Sequence, residues 1–169
     1  PEGQVTGRLM TNAGRTRSFG GEASLLATLW RNLDLQVAYG YTRATFVKFD
    51  TGKADYAGNF IPYAPQHTLY AGASYTLRTG WNCLEYVIFR VAANGAGRIY
   101  WNEANTFSQP FYALLEASIR FEHRHWAVDV WGRNLTDTRY DTFYFMSIGN
   151  SFLQRGRPRT FGVSLSITL

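Results

Sequence analysis

Three histidines, one cysteine and two groups of polar and aromatic residues are where this sequence could do chemistry. His67, His123 and His125 invite a metal or a general base. Two histidines at i, i+2 with neither cysteine nor clustered carboxylates make a poor ligand set, and His67 falls on the apolar side of its segment. Cys83 stands alone, so neither an intrachain disulfide nor a cysteine-based metal cluster can form. No Gly-x-Ser-x-Gly elbow and no phosphate-cradling or dinucleotide glycine pattern occurs. Asn134-Leu135-Thr136 fits a glycosylation sequon by chance. The expectation is a protein that is not an enzyme and carries no metal or cofactor. Two constellations remain. Asp129, Arg133, Asp137 and Arg139 would share one face of a continuing strand. Tyr100, Trp101, Asn102, Glu103 and Asn105 set stacking surfaces beside hydrogen-bonding groups, which suits ligand binding from a loop. The competing reading is an aromatic cluster that packs the loop itself.

The elements that must position these residues are strands. Residues 111–121 alternate, with Phe111, Ala113, Leu115, Ala117, Ile119 and Phe121 on one side and Tyr112, Leu114, Glu116, Ser118 and Arg120 on the other. Residues 160–169 repeat the pattern with a small, polar second face, and residues 66–77 follow the same rule. Residues 33–49 alternate over a length that reaches roughly 50 Å at ~3.3 Å per residue, far beyond a globular strand of ~5–6 residues. Weaker patterns place strands at about 17–29, 83–93 and 126–140. That makes about seven strands, joined alternately by short and long connections: 30–32, 78–82 and 122–125 are short, whereas 50–65, 94–108 and 146–156 are long.

Such strands suit a membrane. Charged residues make up 17% of the 169, below the usual ~25%, while aromatics also reach 17% with 11 Tyr, 12 Phe and 5 Trp. No run approaches the ~20 apolar residues of a spanning helix, and the mean hydropathy is slightly negative. An alternating barrel hides its apolar face from such averages. Outer-membrane barrels have tight periplasmic turns and long extracellular loops, so the alternation orients the chain with its C-terminus periplasmic. Trp30, Trp81 and Trp126 all lie at the short turns, where an indole fits the membrane–water boundary; the alternative is tryptophans closing a soluble core. The net charge of +5 is scattered, which argues against nucleic acid as a partner.

The polar faces are often Gly, Ala, Ser or Thr, too small to fill the interior of an 8-stranded barrel. A wide lumen in which another body packs against the wall is expected instead. Asp129, Arg133, Asp137 and Arg139 would then face either that plug or an ordinary solvated lumen. Single-chain bacterial barrels use even strand numbers, so about seven strands, on a chain opening at Pro1 without Met or a signal segment, point to a fragment that lacks N-terminal strands.

Several stretches resemble one family in register. NLTDTRY, residues 134–140, after the alternating WAVDVWG, resembles the Asn-Leu-x-Asp-x-x-Tyr signature in the penultimate strand of TonB-dependent receptors. RGRPRTFGVSLSITL, residues 155–169, looks like their last strand, and NAGRTRSFGGEASL, residues 12–25, is similar to an earlier one. GRIYWNEANTFSQPFYALLEASI further resembles receptors of the Bacteroides type. The resemblance implies an all-β, antiparallel up-and-down transmembrane barrel of roughly 22 strands, of which residues 1–169 supply the C-terminal part without the plug. It also implies the bacterial outer membrane as location. The implied partners are membrane lipid, the N-terminal plug and missing strands, the TonB complex acting through that plug, and a scarce small-molecule ligand such as a siderophore, cobalamin or a glycan. One departure is the terminal Leu169, where the family usually ends on an aromatic residue. A passive channel is the principal alternative.

Overall fold

The computed structural model describes residues 14–168, so the expectations on Pro1, Asn12, Ala13 and Leu169 lie outside the described residues. Strands β1 (Arg15–Leu29), β2 (Leu33–Lys48), β3 (His67–Trp81), β4 (Leu84–Gly97), β7 (Tyr112–His123), β8 (Trp126–Arg133) and β11 (Thr160–Ile167) form one antiparallel sheet in that order. Two hairpins stand outside it. One joins β5 (Ile99–Tyr100) to β6 (Ser108–Gln109), and the other joins β9 (Asp141–Ser147) to β10 (Asn150–Arg155). Tight turns join β1 to β2, β3 to β4 and β7 to β8 as antiparallel neighbours, and the long connections return the chain beside the strand it has just left. The sheet is open: among the described residues β1 and β11 pair on one side only.

Register turns the sequence alternation into two faces. Gly72 pairs with Gln36 and Ala92, Ala92 with Glu116, Ser118 with Trp131 and Asp129 with Ser164, which brings the polar and small residues of all seven strands onto one side. The other side carries Leu25, Val37, Leu69, Ala73, Val91, Ile119, Val130 and Val163. Leu25, Val37, Val91, Ile119, Val130 and Val163 are exposed there, an apolar surface that no described residue covers. Leu26 departs from the rule, since its register with Gln36 sets it on the polar side. The sheet curls about the polar side, so that Leu26 of β1 and Ser164 of β11 line a common trough of ≈ 530 Å³. Trp30 and Trp81 are exposed at the short turns, Trp30 to 83%, which rules out the soluble-core alternative for both.

Besides shifts of a few residues, as where β3 runs on to Trp81 through the connection expected over 78–82, three boundaries differ in ways that bear on the candidate residues. The strand expected over 126–140 stops at Arg133, because Asn134 takes φ 50°, a left-handed conformation that no strand continues through. Asp137 and Arg139 therefore leave the face they were expected to share with Asp129 and Arg133. The connection expected over 94–108 starts later, since Asn94, Gly95 and Ala96 still pair with both β3 and β7. The one expected over 146–156 is wider, running from residue 134 to 159, and holds the β9–β10 hairpin.

Candidate functional site

Two regions collect the residues that could do chemistry: the polar wall and the long connections gathered at one end of it. On the wall, the β7–β8 register sets Arg120 opposite Asp129. The Arg120 guanidinium donates through Nη1 to Asp129 Oδ2 at 2.6 Å and through Nε to Glu122 Oε2 at 2.7 Å. The fork geometry of Arg lets one side chain hold two carboxylates. Elsewhere on the face Asn94 donates to Glu116 at 3.2 Å and Thr28 to Asp34 at 2.8 Å. Next to the ion network Trp131 lies against Gly162, where any Cβ would collide with the ring. Its indole N–H donates to Ser164 Oγ at 3.2 Å, and the Arg133 guanidinium sits 4.9 Å from its ring centroid. The wall thus offers a flat ring, a cation held by an anion pair, and small residues around them. Asp129 and Arg133 belong to this face, as the sequence led one to expect.

Asp137 does a different job. Asn134 is 5% exposed and its side-chain amide donates to the carbonyls of Thr138 and Arg157, both at 3.0 Å, while its Oδ1 accepts from Thr138 N at 2.8 Å. Asp137 Oδ1 accepts from Arg159 N at 3.0 Å. The Asn-Leu-Thr-Asp stretch is therefore a clasp: it turns the chain out of β8 and holds the segment that returns into β11. Arg139 lies exposed beyond it.

The three long connections are not free loops. Residues 59–66 continue alongside β2 through Phe46 N to Asn59 O, Ile61 N to Ala44 O and Thr42 N to Gln66 O. They also meet the β5 segment through Tyr63 N to Tyr100 O and Gln66 N to Arg98 O. Rings finish the join. Phe60 stacks on Tyr100 at 5.4 Å, Tyr63 packs on Trp101 and Phe143 at 5.6 Å each, and Phe107 stacks on Tyr144 at 4.8 Å. Tyr63 donates its hydroxyl to the Tyr144 carbonyl at 2.9 Å. Trp101 and Tyr144 are each 7% exposed, at the centre of this cluster.

The stretch from Tyr100 to Asn105 has a structural share in that join. Asn105 Oδ1 accepts from Phe60 N at 2.7 Å and Nδ2 donates to Phe60 O at 2.9 Å, the two bonds a strand partner would make. Asn102 Oδ1 accepts from Thr106 N and Phe107 N and shapes its own turn. Glu103 alone of the five is exposed, and its carbonyl accepts from Asn59 Nδ2 at 2.8 Å. Sequence reasoning missed Tyr63, Phe107, Tyr144 and the buried Gln109, whose Oε1 accepts from Asp141 N at 2.8 Å. The aromatic run at residues 143–145 was the available signal.

The histidines sit among rings. His67 is hydrogen-bonded to the Tyr39 hydroxyl at 2.8 Å with Tyr41 at 5.2 Å, and His123 lies between His125 and Trp126. Among the described residues no group of three or more His, Cys, Asp or Glu is placed to hold a metal.

Known proteins share this architecture. The chain is 26% identical to the pesticin receptor of Yersinia pestis over 98% of its length and 24% of that protein's. Its fold superposes on the ferric yersiniabactin uptake receptor FyuA of Yersinia pestis with a TM-score of 0.80 at 23% identity, covering 92% of this chain and 24% of that one. It also superposes on the siderophore receptor PiuA of Acinetobacter baumannii with a TM-score of 0.69 at 18% identity, covering 89% of this chain and 21% of that one. The chain thus spans about a quarter of the length of these relatives. They give no support to the narrower likeness to Bacteroides-type receptors. The family model described as TonB dependent receptor-like, beta-barrel matches residues 1–135, well over half of the chain. With its open, lipid-facing meander and polar inner wall, the chain belongs to the β-barrel domain of the TonB-dependent receptors, proteins of the bacterial outer membrane.

Proposed function

We propose that residues 1–169 form the C-terminal part of the barrel of a receptor that imports a scarce ligand, a ferric siderophore, with energy delivered by TonB through an N-terminal plug. The support is the likeness of nearly the whole chain to a ferric yersiniabactin uptake receptor and a siderophore receptor. The wall fits the role, because a lumen lined by small residues leaves room for a plug and Arg120 with its carboxylates gives that plug a polar partner. Asp129 and Arg133 are the proposed plug-facing residues. Ligand is proposed to meet the Tyr100–Asn105 loop through Tyr100 and Glu103, while Trp101, Asn102 and Asn105 keep the loop in shape.

The test is iron-limited growth and labelled-iron uptake in a strain carrying the full-length gene, with a panel of ferric siderophores. The expected result is uptake of one siderophore class that stops when TonB is deleted. Uptake that persists without TonB would identify a passive channel instead. Uptake of cobalamin or a glycan, with none of iron, would overturn the ligand class alone. Replacing Tyr100 and Glu103 together is expected to weaken ligand binding by ~1 kcal/mol or more with a normally assembled barrel.

A further inference from the structure

The outer face of β1 and β2 carries a cluster of cations that the import function does not use. Register sets Arg17 opposite Thr45, Phe19 opposite Arg43 and, past a bulge, Arg15 opposite Lys48. Opposed residues point to the same side of a sheet and every second residue returns to it, so Arg15, Arg17, Arg43 and Lys48 share the side of Phe19, Leu25 and Val37. All four are exposed, and none forms an ion pair with a described residue. Like charges opposite each other weaken a sheet. The carboxylates that follow Lys48 in the chain shape their own turns: Asp50 accepts from Gly52 N and Asp55 from Ala57 N. Arg43 is braced over the Phe60 ring at 5.5 Å.

Their height is set by the apolar residues below. From Leu29 at the periplasmic turn to Phe19 the strand makes ten steps, roughly 33 Å along its axis at ~3.3 Å each, or about 25 Å of height at the usual tilt. That matches the apolar band of an outer-membrane barrel. Arg17 and Arg15 follow Phe19 immediately, in the headgroup layer on the extracellular side. The site is outside the lumen and facing lipid.

We propose that Arg15, Arg17, Arg43 and Lys48 bind the phosphate groups of a phosphorylated glycolipid of the outer leaflet, whose acyl chains pack on Phe19, Leu25, Val37 and Tyr39. Charge complementarity and continuity with the apolar band favour the lipid over free phosphate: guanidinium groups take phosphate through paired donors, and the apolar side chains directly below the cluster offer acyl chains a surface that a lone ion would not use.

The test is native mass spectrometry of the full-length protein in detergent, titrated with bisphosphoryl lipid A, with fully dephosphorylated lipid A and with inorganic phosphate. Wild type is expected to bind the phosphorylated lipid at least about tenfold tighter than the dephosphorylated one, and to show no saturable site for inorganic phosphate. Arg17→Gln with Arg43→Gln is expected to lose at least about tenfold in affinity for the phosphorylated lipid alone. Arg155→Gln with Arg157→Gln, an equal charge change at the foot of the β9–β10 hairpin, is expected to bind both lipids as wild type does. Equal binding of the two lipids by wild type overturns the proposal without recourse to any variant. So does an equal loss in both double variants, or inorganic phosphate binding as tightly as the lipid.

Discussion

The wall and the mouth of this barrel are stabilised in opposite ways. In the wall, between Leu33 and Tyr41 on β2 or Phe89 and Gly95 on β4, every backbone group joins a regular ladder while outward side chains such as Val37, Tyr39, Phe89 and Val91 stay exposed, facing lipid rather than protein. Above it the backbone is irregular, yet Phe46, Trp101, Tyr144, Gln109 and Asn134 are among the most enclosed side chains in the molecule. The wall takes its solvent from the membrane and needs no core of its own; the mouth stands in water and must build one. A barrel can therefore be regular where it is dry and tightly packed where it is wet.

Three substitutions would sharpen or break that contrast. Trp101→Ala removes the centre of the mouth cluster and is expected to cost about 3–5 kcal/mol, as for large buried rings. The loss should stay local. Hydrogen exchange should show residues 60–63 and 143–145 deprotected while the β3–β4–β7 ladder keeps its protection, and a global loss would refute the separation of the two regions. Val91→Arg tests the wall, since an arginine at mid-height of the lipid face costs about 2–4 kcal/mol. Urea titration into lipid vesicles should show that loss, with the Tyr63 and Trp101 amides unchanged in the folded fraction. Asn134→Ala lies at the border and leaves Thr138 N and the carbonyls of Thr138 and Arg157 without their partner, for about 1–3 kcal/mol. Limited proteolysis is expected to cut near residues 136–140 in that variant and not in wild type.

How much of this was legible in the sequence follows the same division. The wall was legible because a period of two is a local signal, and antiparallel pairing of neighbours then fixes which side each residue takes. Leu69, Ala117 and Val163 were assigned to their face from alternation alone. The mouth was not, because its contacts join residues far apart in sequence: Tyr63 to Tyr144 spans 81 positions and Asn105 to Phe60 spans 45. Trp101 was read as surface recognition or as packing with equal reason, since density of rings in a loop does not say what they touch. Arg133, Asp137 and Arg139 show the limit of alternation itself. Their spacing continues the β8 rhythm, but Asn tolerates positive φ and Asn-x-x-Asp is turn chemistry, so Asn134 was the residue to weigh.

The clasp at Asn134 has a consequence for how such receptors diversify. It ties residue 134 to residue 157, and Asp137 to Arg159, so the two feet of the β9–β10 hairpin are fixed regardless of what lies between them. The entropy of closing a loop grows only with the logarithm of its length, by ~0.6 kcal/mol per doubling. The hairpin is thus a cassette on a fixed socket. Insertions at its tip, where Ile148 and Gly149 already turn with positive φ, leave β8 and β11 in register and change only what the mouth presents to the outside.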